Sequence, residues 1–290
     1  MAEFLLACIN GLTSGSIVFL VAAGLTLVFG IGGVLNFAHG GVFAIGAYTM
    51  YTVSSQLGAS WWAFAVSALV AIAVAAALGA IAEVLFVRKF YPLRHEYMLL
   101  GTYALLLILD GALQLIWGLD PKSSPAPRGL RDSVDLGPVS VTSLSLFIIA
   151  VALLALGGLY YWLQRTSFGH LAKAAAHDRD AAMTLGVNVP FVLTGVFIVG
   201  SMLAGLAGAV LAPAQALQPE LGNLFIIQAF VAVVLGGLGS VAGAWIAAVI
   251  LGLADSLWFT YLPDVPQVGV FVALIAILVL KPTGLMGAKA

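Results

Sequence analysis

"GIGGVLNFAHGG", residues Gly30 to Gly41, interrupts an otherwise apolar run with five glycines, Asn36 and the first histidine of the chain, His39. Glycine inside a helix costs about 1 kcal/mol relative to alanine, and a polar side chain inside hydrocarbon is expensive unless it is satisfied. The stretch therefore reads either as a surface turn or as a break within a membrane span. Its surroundings decide which.

Of the 290 residues 62% are hydrophobic and 8% charged, against about 25% charged in a typical soluble domain, and the mean hydropathy is +1.14. Such a chain cannot cover itself with polar groups in water. Windows near the roughly 20 apolar residues that cross a bilayer recur at 4–30, 34–54, 61–87, 97–118, 141–163, 190–212, 223–260 and 266–281, with 223–260 long enough for two short passes. The expectation is an all-α polytopic membrane protein of about eight transmembrane helices, forming one transmembrane domain over 1–290. The N-terminus "MAEFLLACIN" carries Glu3 and no cation, so it lacks the positive region of a secretory signal and reads as a retained first span. The single cysteine, Cys8, excludes an intramolecular disulfide. A net charge of −1 argues against a nucleic-acid partner.

Cations near span ends set orientation, because they favour the cytoplasmic side. Arg88, Lys89 and Arg94, then Arg165, Lys173 and Arg179, then Lys281 and Lys289 fall together if the N-terminus is outside and the C-terminus cytoplasmic. Lys122, Arg128 and Arg131 share the 119–140 segment with Asp120, Asp132 and Asp135. That segment is then an outer loop, and its prolines predict order without a helix. Trp61, Trp62, Trp117, Trp258 and Tyr261 fall near the predicted outer span ends, where amphipathic rings prefer to lie.

A second glycine-rich stretch, "LGGLGSVAG", covers 235–243. Gly32, Gly33, Gly40 and Gly41 in the first stretch and Gly236, Gly237 and Gly239 in the second predict two broken or re-entrant helices, the sequence pointer to a transport route. Gly40-Gly41-Val42 against Gly239-Ser240-Val241 also hints at a duplication of 10–118 in 141–281. Asn36 and His39 either satisfy backbone freed by the first break or line a route, and the two roles are compatible. Asn223 and Gln228 precede the second break as their counterparts. Asp110 and Gln114, four apart, read as a hydrogen-bonded or interfacial pair, and Asp255 as interfacial. Gly200 with Ala204 and Gly208, Gly11 with Gly15, and Gly239 with Gly243 repeat every four residues, which predicts close helix packing.

No phosphate loop of the form G-x-x-x-x-G-K-[ST] is present, so the chain is not expected to hydrolyse ATP or bind a cofactor itself. His39, His95, His170, His177 and Cys8 do not fall at metal-ligand spacing. The segment 165–190 is alanine-rich between Gly169 and Gly186 and predicts a short surface helix with Asp178, Arg179 and Asp180 pointing outward. In a chain without its own energy source, such a helix is where a motor subunit would grip.

"GSIVFLVAAGLTLVFGIGGVLNFAHGGVFAIGAY", "TSFGHLAKAAAHDRDAAMTLGVNV", "FVAVVLGGLGSVAGAWIAAVILGL" and "LVLKPTGLMG" together resemble the permease subunits of Liv-type branched-chain amino acid ABC importers, specifically the shorter permease of the pair. The resemblance runs from about Asn10 to Gly287. It implies the ABC importer permease fold in a bacterial inner membrane, a second homologous permease, two cytoplasmic ATP-binding subunits and a periplasmic substrate-binding protein. The family's coupling segment matches at Ala174, Ala176, Asp178, Ala182 and Gly186, flanking Arg179 and Asp180. The E-A-A-x-x-x-G loop of other ABC importers is not reproduced, since Lys173 precedes Ala174 and the next glycine is Gly186. Relatives of this architecture also carry urea, short amides or aromatic acids. A reading from another class, a secondary transporter or channel acting alone, would need an ionisable relay, and Asp110, Asp255 and His39 are too scattered for one.

Overall fold

In the computed structural model the first helix, α1 (Ala2–Gly32), is the axis of a helical bundle, with 89% of its most apolar window buried. The structure describes residues 2–91, 93–137 and 139–262, and beyond them 274, 275, 279, 281 and 284–286. Next in the chain come α2 (Ala38–Leu57), α3 (Trp61–Leu85), which packs on α2, and α4 (His95–Trp117), which also packs on α2. A short α5 (Arg128–Arg131) and a hairpin, β1 (Ser133–Leu136) with β2 (Val139–Thr142), lead to α6 (Ser143–Arg165). Two short helices, α7 (Ser167–His177) and α8 (Arg179–Thr184), precede α9 (Val189–Leu211), α10 (Leu221–Gly236) and α11 (Val241–Tyr261).

Six of these helices are long and apolar enough to cross a membrane, and α10 is a shorter apolar helix. The expected two passes within 223–260 are α10 and α11. The expected last span, 266–281, lies almost wholly outside the described residues.

Glycine decides how closely the helices meet. A Cβ on Gly11 would lie 2.8 Å from the Gly252 carbonyl oxygen, and one on Gly15 2.6 Å from that of Ala248, so α1 and α11 run antiparallel with backbones in contact. Gly200 and Gly208 of α9 likewise meet Gly24 of α1 and Phe43 of α2. Without a hydrophobic drive between helices in lipid, close van der Waals packing of this kind is what holds them together. The Gly239 and Gly243 pair is different: Gly239 stands outside the helix with φ +86° and meets Gly30, whereas Gly243 packs against Gly236.

These contacts fix two ends of the bundle. The ends of α1, α3, α6 and α10 share one end with α7 and α8. Trp61, Trp62, Trp117, Trp258 and Tyr261 lie at the opposite end, where α3 begins and α4 and α11 finish. The 119–140 segment departs from its expectation, since it contains α5 and a hairpin in register Ser133 to Thr142. It is tied down by paired backbone bonds between Lys122 and Leu217 of 3.1 and 2.8 Å.

Candidate functional site

α1 stops at Gly32, and Gly33 takes φ +64°, a conformation that Cβ disfavours in other residues. Residues 33–37 are not helical. A Cβ on Gly24 would lie 2.7 Å from His39 Nε2, which places His39 level with a point eight residues, roughly 12 Å, back from the end of α1. The chain has therefore turned back into the bundle before α2 begins. The break is re-entrant, but Gly40 and Gly41 are not part of it. Both lie in the first turn of α2, where a Cβ would strike Ile226 and Leu109 at 2.8 and 2.7 Å. Their role is close approach.

Thr102 of α4 holds the returning stretch: Phe37 N–H donates to its hydroxyl at 3.3 Å, and that hydroxyl reaches the carbonyls of Leu35 and Leu99 at 3.2 Å. Phe37 stacks on Phe230 with ring centroids 4.8 Å apart. Asn36 and His39 are 4% and 1% exposed, joined by a 3.3 Å bond from His39 N–H to the Asn36 carbonyl. Asn36 Oδ1 and His39 Nε2 have no hydrogen-bond partner, an unusual state for buried polar atoms. Backbone freed by the break is thus met by Thr102, leaving both side chains with unused capacity at membrane depth.

Asn223 joins this neighbourhood. A Cβ on its neighbour Gly222 would lie 2.7 Å from the Gly40 carbonyl oxygen, so the first turns of α2 and α10 touch. The Asn223 amide donates to Asp110 Oδ2 of α4, while Asp110 Oδ1 is buried without a partner. Asp110 is thus paired across the bundle and not with Gln114, which is exposed. Gln228 does not join them; it faces a small cavity with Ser14, Val18 and Asp255. Asp255 is half-buried there.

The second break, 237–240, is a tight turn in which Gly237 and Gly239 take φ +95° and +86°, while Gly236 is the last residue of α10. Leu285 and Met286 N–H groups donate to the Leu235 and Gly236 carbonyls at 2.7 and 3.0 Å, satisfying the end of α10. The two breaks are adjacent, since a Cβ on Gly30 would lie 2.9 Å from Gly239 Cα. They are not copies of one another, because one is an extended return and the other a turn.

The 165–190 segment is an elbow of two helices, not one. Asp178 divides them and caps α8 by accepting from Asp180 and Ala181 N–H at 3.0 Å. α8 ends on Gly186, φ +85°, with Gly186 and Val187 N–H bonded to the Met183 and Ala182 carbonyls at 2.9 and 3.0 Å, a Schellman turn. Ala174, Ala176, Asp178, Asp180 and Gly186 face outward; Ala182 is buried and Arg179 half-buried. Arg179 therefore departs from its expected outward pose. Met183 and Leu185, 50% and 84% exposed, stand beside the outward set, and their signal in the sequence was two large apolar side chains in an otherwise small and polar run.

A charged cluster, missed by reading the sequence, adjoins the elbow. Glu83 of α3 is wholly buried and accepts from Arg88 Nε at 3.1 Å and a terminal Arg88 nitrogen at 2.8 Å, from the Thr194 hydroxyl at 2.8 Å and from Tyr91 at 3.3 Å. Burial, then the neighbouring carboxylate, pushes the Tyr91 hydroxyl above its ordinary range, so it remains a donor.

A bundle of apolar helices with one re-entrant break, unpaired polar atoms beside it and a projecting elbow at one end defines a multi-pass membrane permease. The chain belongs to the family described as branched-chain amino acid transport system / permease component, whose profile matches residues 7–280. It is 32% identical over 294 residues to the high-affinity branched-chain amino acid transport system permease protein LivH of Salmonella typhimurium, covering 98% of this chain and 96% of that one. It is 31% identical over 304 residues to the corresponding protein BraD of Pseudomonas aeruginosa, with the same coverage of 98% and 96%. The ribose import permease protein RbsC of Escherichia coli K12 is 27% identical over 265 residues, 85% of this chain and 76% of that one. No solved structure matches the chain.

Proposed function

We propose that this chain is one of two permease subunits of an importer that moves branched-chain amino acids inward across a bacterial inner membrane. The second subunit is a homologous permease, two cytoplasmic ATP-binding subunits consume the ATP, and a periplasmic binding protein delivers the substrate. The chain itself binds no cofactor. The elbow end is cytoplasmic, since Arg88, Lys89, Arg94, Arg165, Lys173 and Arg179 gather there; the N-terminus is then outside and the C-terminus cytoplasmic.

The observation that carries this reading is the elbow, where Met183 and Leu185 project beside Ala174, Ala176, Asp178 and Asp180 at the end where both breaks meet. It offers a motor subunit an apolar grip within a polar rim. Asn36, His39 and Asn223 lie around the crossing of α2 and α10 and are assigned to the route, with Gln228 beside it on the far face of α10. An amino-acid zwitterion crossing hydrocarbon needs its charges matched, and helix ends and unpaired polar atoms at depth supply partial charges for this. Among transported molecules, leucine, isoleucine and valine are favoured by the LivH and BraD likeness.

The test is reconstitution. The chain, co-purified with its partner subunits into proteoliposomes, is given labelled leucine, the binding protein and ATP. ATP-dependent accumulation is expected, with Asn36→Ala and His39→Ala lowering it while the ATP-binding subunits stay attached. Accumulation by the chain alone, without any ATP-binding subunit, overturns the importer reading; undiminished uptake in both variants removes the route assignment.

A further inference from the structure

We infer that Arg179 is the positioning residue that links the elbow to the re-entrant break, so that displacement of α8 is delivered to the chain carrying Asn36 and His39. The inference rests on the importer reading above and names the side chain through which that reading would work.

One end of the link is the terminus of α1. The last carbonyls of a helix lack intrahelical donors and carry a partial negative charge. Here the Arg179 guanidinium donates to the Gly32 carbonyl, and reaches that of Ile31 at 3.5 Å. The guanidinium lies beside Gly33, where a Cβ would be in ordinary contact with it at 3.7 Å; what Gly33 supplies is the turn, with φ +64°. The guanidinium also stands 6.0 Å from the centre of the Tyr91 ring, in reach of a cation–π contact. Tyr91 in turn donates to Glu83, which is bound to Arg88 and Thr194. Arg179 is thus held between the end of α1 and a cluster spanning α3 and α9.

The other end of the link is stiff. Arg179 is the first residue of α8, directly after the Asp178 cap, and α8 is closed at its far end by the Gly186 turn. Among the described residues, the other hydrogen bonds and ring contacts of α7 and α8 stay within the segment or reach α6 and α9, as with Lys173 to Gln164 and Phe168 to Trp162 and Phe191. Arg179 alone bonds to the break. From Gly32 the chain runs through the nonhelical 33–37 stretch to α2, pinned near its far end by Thr102. A pull on Gly32 therefore acts on an extended connector with no helical bonds to absorb it. Movement of the elbow and accessibility of the break are one coordinate.

The test uses the whole importer, with Cys8→Ala as background and Leu35→Cys as a reporter in the break, labelled with a maleimide in nucleotide-free and vanadate-trapped states. With Arg179 present, labelling is expected to differ between the states. Arg179→Ala is expected to keep the ATP-binding subunits and ATP hydrolysis, to lose the difference in labelling, and to lower uptake per ATP by about tenfold; Arg179→Lys is expected to recover part of both. Unchanged uptake per ATP in Arg179→Ala overturns the link, as does labelling that ignores nucleotide when Arg179 is present. If the alanine variant does not assemble, Arg179→Gln takes its place with the same two readings, and the labelling of the Arg179 protein decides independently. Absence of any ATP-dependent uptake with Arg179 present would instead sink the importer reading, which keeps the two failures apart.

Discussion

Gly30 and Gly239 touch backbone to backbone, so the last turn of α1 and the second break form a single junction at the elbow end of the bundle. The two helix ends at this junction are capped from elsewhere in the chain, α1 by the Arg179 side chain and α10 by the amides of Leu285 and Met286. The junction is consequently a place where small changes in side-chain volume or donor supply have large effects.

Gly30→Val tests the contact by volume. Its Cβ would begin 2.9 Å from Gly239 Cα, with backbone and not a flexible side chain in the way. Overpacking of this kind costs about 1–3 kcal/mol. The apparent melting temperature of the purified protein in detergent should fall, whereas Gly58→Ala, where a Cβ meets nothing within 4 Å but φ is +90°, isolates the backbone strain alone. Equal melting temperatures for Gly30→Val and the parent protein would show that α1 and the second break are not in contact.

The Glu83 cluster predicts an asymmetry. Arg88→Ala leaves a wholly buried carboxylate with Thr194 and Tyr91 as its remaining donors, whereas Glu83→Gln leaves an arginine whose side chain is 39% exposed and can turn to water. Breaking a fully buried pair costs about 3–5 kcal/mol. Because Arg88 is partly solvated, a loss of up to about 3 kcal/mol is expected for Arg88→Ala and less for Glu83→Gln. Thermal unfolding of the two variants side by side measures the order, and a more damaging Glu83→Gln reverses the argument.

The helices, the two breaks and the packing ladders of α1 and α9 were legible because each rests on a local pattern: an apolar run of span length, a cluster of glycines, a four-residue repeat. What escaped reading depends on partners far along the chain. Gly40 and Gly41 resemble Gly32 and Gly33 in sequence, yet the first pair is helical because Gly222 and Leu109 require close approach, and Gly33 is not because it must turn. Arg179 looks like its exposed neighbours Asp178 and Asp180, and only the unsatisfied end of α1, about 147 residues earlier, draws it inward. Asp110 has Gln114 one helical turn away but finds Asn223, 113 residues distant. No local signature distinguishes those alternatives.

Asp110 and Asn223 should behave as a coupled pair. Asp110→Ala and Asn223→Ala each remove one half of a hydrogen bond between α4 and α10, and each leaves the other polar group without that partner. Residues in direct contact show interaction energies of about 0.5–3 kcal/mol in double-mutant cycles. Stability measured for both singles and the double variant should therefore be non-additive. A double variant whose loss equals the sum of the singles would place the two side chains out of contact.

Thr102 supplies the most direct test of the re-entrant chain. Its hydroxyl accepts from Phe37 N–H and reaches the Leu35 carbonyl, so one side chain of α4 serves both a donor and an acceptor of the break. Thr102→Val keeps the shape and removes the hydroxyl, leaving buried backbone groups unpaired at about 1–3 kcal/mol each. Thr102→Ser keeps the hydroxyl and changes only a methyl. Hydrogen exchange at Phe37 should accelerate in the valine variant and stay near the parent rate in the serine variant. Uptake should fall in the same order, because Asn36 and His39 are held by the same stretch. Equal exchange at Phe37 in all three proteins would mean that the break is supported by something other than α4, and the re-entrant geometry built on Thr102 would have to be abandoned.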